Sequence, residues 1–333
     1  MSPRELDEDD VRVRPGRSSR PRTRTRPAHE QAVPAVVLSV DRGRYRLGTA
    51  DGGLLTAVRA RELGRRAVVV GDRVAVVGDV TGGPDALGRI VRVEARTSLL
   101  RRTPDDSDPV ERAVVANAEV LVVVTALADP VPRPRLVDRC LVAAYDGGLV
   151  PVLCLTKDDL ASPDEMLALY EPLGVEVVVT GPAADDPGVQ VLRERLAHRT
   201  SVLFGQSGVG KSTLVNRLVP DAFRAVGDVT GVGKGRHTSS SAVALPLPGG
   251  GTVIDTPGVR SFGLGAVTPE GVLAAFPDLA QAAAACPPGC THLPDVPGCA
   301  LDAEVAAGRA TAARLDSLRR LLTALAPGAG SED

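Results

Sequence analysis

Aromatic side chains are nearly missing from this 333-residue sequence. They make up 2% of it, and tryptophan is absent. Its cores therefore have to be built from Val, Leu, Ala and Ile. Lysine is almost as scarce: only Lys157, Lys211 and Lys234 occur, and the other basic residues are arginines. Arg replaces Lys poorly where a compact ammonium must fit a tight site, so the three survivors are informative. A formal net charge of −2 supplies no global attraction to nucleic acid, which leaves only local patches for that purpose. No apolar run approaches a membrane span and the first residues carry no apolar signal segment, so a cytoplasmic protein is expected. Five cysteines, three of them between 286 and 299, exclude a disulfide framework.

What is present divides the chain. Residues 1–33 are polar, with an acidic start and seven arginines between Arg12 and Arg26. That composition cannot bury a core and reads either as a solvated tail or as an electrostatic arm for RNA. Over 34–97, five short β-type runs (35–40, 45–49, 54–60, 72–78 and 88–94) are separated by Gly/Asp turns, which suits an OB-fold barrel. Such barrels stack bases on aromatic rings, and this one has only Tyr45. Over 98–265, apolar runs at 121–127, 150–156, 175–180, 201–205 and 251–256 alternate with helical patterns near 133–146, 163–172, 187–197 and 211–218. This predicts an α/β domain, doubly wound, with helices on both faces. Residues 266–326 hold two Ala-rich helical segments flanking a cysteine cluster, and 327–333 form a tail.

The run GQSGVGKST (205–213) follows an apolar strand and opens a helix, the setting a phosphate-binding loop requires. Gly205, Gly208 and Gly210 let the backbone wrap. The amides of Gln206, Ser207, Val209 and Thr213 and the helix N-terminus then face phosphate oxygens. Lys211 reaches the β- and γ-phosphates, and the Ser212 hydroxyl ligates Mg²⁺. TKDD (156–159) ends a strand and matches the guanine-reading pattern of Thr156, Lys157 and Asp159. The Asp159 carboxylate would accept from guanine N1–H and its 2-amino group, whereas adenine would leave it unpaired. The alternative is a capped helix start. DTPG (255–258) places Asp255 toward Mg²⁺ and the Gly258 amide toward the γ-phosphate, where the alternative is a plain Pro-Gly turn.

GVGKGRHTSSS (231–241) lies between these elements and reads as a switch loop, with Thr238 or Ser239 closing on Mg²⁺. Where Ras-like enzymes carry a water-positioning Gln after D-x-x-G, this chain has Val259. His237 is the candidate for orienting the attacking water, set against an exposed loop histidine. The guanine motif precedes the phosphate loop by about fifty residues, the reverse of the ordinary order. The nucleotide elements therefore lead directly into the C-terminal segment, whose position nucleotide state could change. In CPPGCTHLPDVPGC (286–299), Cys286, Cys290, His292 and Cys299 form a Cys₃His set for one structural Zn²⁺. Cys140 and Cys154 fall in helix and strand patterns and read as core residues.

Together, GQSGVGKSTLVN (205–216), TKDDL (156–160), GKGRHTSSS (233–241), DTPGVRSFGL (255–264) and the Cys/His cluster resemble the RsgA/YjeQ family of small-ribosomal-subunit-dependent GTPases. VVVGDRVAV (68–76), RTSLLRR (96–102) and the strand after Ala116-Asn117 also match family positions. The resemblance covers residues 34–325. It implies an OB-fold, a circularly permuted GTPase domain and a zinc-binding helical domain. It also implies a late assembly factor that binds GTP and GDP, acts on the small ribosomal subunit with its 16S rRNA and proteins, and leaves on hydrolysis. The family's switch histidine corresponds to His237. Against the family pattern, Ser239 and Ser240 stand where threonines are usual, and the first two cysteines are more closely spaced. Thr180-Gly181 is the best placement for a guanine-supporting S-A element. The competing readings are a large-subunit GTPase, an RNA-binding scaffold with incidental hydrolysis, and an ATPase.

Overall fold

The computed structural model describes residues 29, 31–64, 68–83, 85–102, 112–220, 242–257 and 267–325. Five strands open it: β1 (Val33–Asp41), β2 (Arg44–Gly48), β3 (Leu54–Arg59), β4 (Arg73–Gly78) and β5 (Gly88–Val93). They pair in the order β1-β2-β3-β5-β4, and β4 pairs back onto β1, which closes the barrel. All contacts are antiparallel except β3–β5. Alternation along β2 and β3 sends every second residue inward, as a half-buried strand demands. The interior holds Val37, Leu47, Ala57, Val76 and Ile90, together with Tyr45. Tyr45 is thus a core residue and offers no stacking platform for a base.

β6 (Leu99–Arg102) and β7 (Arg112–Ala116) form a separate two-stranded ribbon. The α/β layer follows, with β8 (Val120–Ala126), β9 (Val150–Thr156), β10 (Glu176–Thr180), β11 (Thr200–Gly205), β12 (Val243–Pro246) and β13 (Thr252–Asp255). The helices between them are α1 (Pro134–Asp146), α2 (Asp164–Tyr170), α3 (Pro187–Leu196) and α4 (Lys211–Leu218). The strands lie in the order β10-β9-β8-β11-β13-β12, parallel except for β12. Counted from β11 and joined end to start, that order becomes 6-5-4-1-3-2. It is a doubly wound sheet whose winding reverses between β8 and β11, so the cut in the chain has moved while the sheet has not.

β8 is buried along its whole length, because helices cover both faces. Val120, Val122 and Val124 point into a core shared with α3 and α4. Leu121 and Val123 point into a second core with α1 and α2. This second core runs on into the C-terminal helices α5 (Pro269–Ala274), α6 (Pro277–Ala283), α7 (Ala300–Ala306) and α8 (Ala312–Ala324) through Phe276, Leu301, Leu318 and Leu321. Each expected Ala-rich segment is therefore split in two. Pro277 starts α6 and Gly308, at φ 69°, ends the stretch behind α7, while Thr268 and Thr311 cap α5 and α8 with their hydroxyls.

Polar contacts reinforce the C-terminal docking. Arg320 reaches the buried Asp138 of α1 at 3.0 Å and lies over the Tyr170 ring. Arg314 pairs with Asp278 at 2.6 Å and covers Phe276. The barrel is joined just as specifically. Asp72, wholly buried, takes a bidentate bond from Arg96 (2.7 and 2.8 Å), and Asn117 donates to the Gly71 carbonyl at 2.9 Å. The three stretches 68–76, 96–102 and 116–117 therefore meet at one joint. Among the described residues, β1 also touches β12 through the pair Ser39 and Val243.

Candidate functional site

Three strand ends meet at the carboxyl edge of the sheet. β11 ends at Gly205 opposite Val124 of β8, β9 ends at Thr156 opposite Ala126, and β13 ends at Asp255 opposite Leu203. Between β11 and α4 the chain turns through Gly208 (φ 84°) and Gly210 (φ 88°), a left-handed conformation that glycine adopts without strain. Gly210 also occupies the N-cap of α4, where no side chain caps the helix amides. An uncapped helix start behind a glycine loop is the arrangement that receives an anion. Ser212 and Thr213 are exposed there, and Val209 is buried beneath.

The predicted residues contact one another. Lys211, largely buried, donates from Nζ to Asp255 Oδ1 and to the Thr256 carbonyl, which ties phosphate loop to DTPG strand. The Thr156 hydroxyl donates to the Val209 carbonyl at 2.6 Å, linking the guanine motif to the phosphate loop. The Thr256 hydroxyl donates to the Leu203 carbonyl at 2.7 Å and fixes the start of the DTPG turn on β11. Lys157 donates to the Asp129 carbonyl, in the turn after β8. Asp159 is exposed at the rim. Gly258, His237, Thr238 and Ser239 lie outside the described residues, as do the Arg-rich stretch before residue 29 and the tail after 325.

The residues that sequence reasoning missed are the turn around Asp129 and Pro130, the Thr256 hydroxyl, and the Arg217 guanidinium. The ADPVPRP run (128–134) carried a turn signal, but nothing in it marked contact with a motif thirty residues away. Thr180-Gly181 lies beside TKDD. Thr180 pairs with Thr156, and Gly181 packs against the Asp158 carboxylate.

The Cys/His set gathers at the foot of the C-terminal helices. The His292 Nδ1 lies 3.6 Å from Cys286 Sγ, 3.5 Å from Cys290 Sγ and 3.8 Å from Cys299 Sγ. All four donor atoms lie within 4.8 Å of one another. A tetrahedral zinc centre with Zn–S of about 2.3 Å and Zn–N of about 2.0–2.1 Å has S···N edges of roughly 3.6 Å, so the set is compatible with one zinc ion. Burial, with the Arg319 charge added, holds the His292 imidazole below its ordinary pKa. Arg319 donates to the His292 carbonyl at 3.1 Å and Ala300 N–H to Cys286 Sγ at 3.2 Å, which orients both ligands. Cys140 and Cys154 are instead buried in the two cores, and burial pushes the Cys154 thiol up to about 12.

Known proteins resemble this chain in sequence and in fold. The family profile described as RsgA GTPase matches residues 93–265. The "Small ribosomal subunit biogenesis GTPase RsgA" of Chlorobaculum parvum is 36% identical over 312 residues, covering 89% of this chain and 99% of that protein. Its namesake from Marinobacter nauticus is 39% identical over 265 residues, covering 77% and 73%. The crystal structure of YjeQ from Thermotoga maritima superposes with a TM-score of 0.64 at 26% identity, over 88% of this chain and 98% of that one. YloQ, described as a circularly permuted GTPase, shares the fold at a TM-score of 0.63 and 22% identity, over 90% of this chain and 96% of that one. With a permuted sheet, its motifs at three adjoining strand ends and relatives matched along nearly their whole length, this chain belongs to the RsgA GTPase family.

Proposed function

We propose that the chain hydrolyses GTP at the carboxyl edge of its permuted sheet and serves late maturation of the small ribosomal subunit, leaving it once GTP is cleaved. The observation that carries the chemistry is the contact of Lys211 with Asp255, which brings a phosphate lysine and an acidic residue of a D-x-x-G turn to one point. The observation that carries the partner is the match to small-subunit biogenesis GTPases over nearly their whole length.

In this reading Asp159 selects guanine, and Lys157 lies along the base. Amides from Gln206 to Thr213 hold the phosphates, with Lys211 neutralising charge that builds up on the β–γ bridge. Ser212, Asp255 and a hydroxyl of Thr238 or Ser239 offer the hard oxygen donors that suit Mg²⁺. When bound, that ion supplies charge neutralisation across the β- and γ-phosphates. The Gly258 amide meets the γ-phosphate, and His237 orients the attacking water by hydrogen bond. Zinc at Cys286, Cys290, His292 and Cys299 is structural, since four protein ligands leave no open position. The protein works in the cytoplasm as a monomer, and no described helix is long and apolar enough to cross a membrane.

His237→Ala separates an enzyme from a GTP-gated scaffold. Turnover stimulated by small subunits should fall by about 10²-fold or more while GTP affinity stays within about twofold. Unchanged turnover would remove His237 from the mechanism.

A further inference from the structure

The base-side loop after β10 is held from two directions. Asp186, the N-cap of α3, accepts from Gly181 N–H at 2.7 Å and from Val189 N–H at 3.0 Å. From the other side, Arg217 in the last turn of α4 spreads its guanidinium over three successive carbonyls. It donates to Gly181 (2.6 Å), to Pro182 and to Ala183 (2.6 Å). The circuit closes through Arg193 of α3, which donates to the Arg217 carbonyl at 2.7 Å. Gly181 lies close against the guanine motif: a Cβ there would sit 2.1 Å from Asp158 Oδ1. Asp158 is the neighbour of Asp159, and its N–H faces the Thr180 carbonyl at 3.5 Å.

We propose that Arg217 is a positioning residue for base recognition: it locks the 181–183 loop onto the far end of the phosphate-loop helix, so the loop that flanks TKDD is set by the element that grips the phosphates. The rise of an α-helix puts Arg217 about 9 Å from Lys211, too far along α4 to share its phosphates. A guanidinium suits the task because its planar fork serves several carbonyls at once. The proposal rests on the guanine reading of Asp159 made above.

The test is displacement of a fluorescent GDP from the full-length protein by GDP, ADP and inorganic tripolyphosphate, in wild type and in Arg217→Met. Loss of charge-assisted bonds to the loop should weaken GDP by about tenfold and leave tripolyphosphate unchanged. Equal weakening of both competitors, or of neither, overturns the proposal. Should Arg217→Met fail to fold, Arg217→Lys carries the same comparison, with a smaller loss for GDP and none for tripolyphosphate. A wild-type protein that does not prefer GDP over ADP overturns the guanine reading itself. That control stands apart from the behaviour of the variants.

Discussion

At the scale of single residues, the site is decided by which side chains reach across strand ends. On the proposed reading Asp159 accepts from two donors of guanine, and Asp159→Asn exchanges one acceptor for a donor. GTP preference over ATP should fall by about 10²-fold or more, and binding of xanthosine triphosphate, which presents a carbonyl where guanine has its amino group, should rise. Competition titrations measure both. Gly71 is a structural counterpart. It sits at φ 86°, and a Cβ would lie 2.0 Å from the Ala116 carbonyl oxygen. Gly71→Ala should cost about 2–4 kcal/mol in denaturant unfolding. The residues that meet at the strand ends, Thr156, Lys211 and Asp255, and those of the Cys/His cluster were legible from the sequence because their motifs have local spacing. Arg217, which donates to backbone carbonyls more than thirty residues away, and Asp129, whose carbonyl accepts from Lys157, were not, since no periodicity marks such partners.

Among the elements, the antiparallel β12 went unread, but the parallel strands of the α/β layer and the helices between them were readable almost to the residue, as with β9 at Val150–Thr156 and α4 at Lys211–Leu218. Their apolar runs are long, and Gly or Pro punctuates them. The ribbon of β6 and β7 escaped, because LLRR and RAVVA are only four and five residues long and carry no alternation that separates strand from loop. The joint it belongs to depends on the ion pair of Arg96 with Asp72. Removing one partner from a buried pair leaves the other uncompensated, so Arg96→Ala should destabilise the protein by about 3–5 kcal/mol in denaturant unfolding. The docking of α8 is more exposed. A hydrogen bond from Arg314 holds the Asp278 carboxyl below its ordinary range. A lowered folded value means that the pair stabilises above the ordinary carboxylate range and that its contribution fades as pH falls through the lowered value. Asp278→Asn should flatten that acid limb of a melting-temperature profile, by under about 1 kcal/mol for so accessible a pair.

For the whole molecule, the continuous core between α1 and α5–α8 makes the C-terminal helices part of the GTPase layer. The expectation that nucleotide state moves this segment must therefore act against Phe276, Leu318 and Leu321, all fully buried. The Cys/His cluster sits at the edge of that core, with Cys299 inside it and Cys286 and Cys290 packed against it, in a stretch where Pro and Gly dominate. Metal chelation should therefore loosen 286–299 and leave the sheet intact, seen as proteolysis confined to that segment together with loss of one zinc per chain by elemental analysis. The central claim is that one permuted site hydrolyses GTP in response to the small ribosomal subunit. Steady-state phosphate release from GTP and from ATP, alone and with purified small or large subunits, tests it most directly. The account predicts slow turnover of GTP only, rising sharply with the small subunit and not with the large one. Equal turnover of ATP, or GTP turnover indifferent to the small subunit, would contradict it.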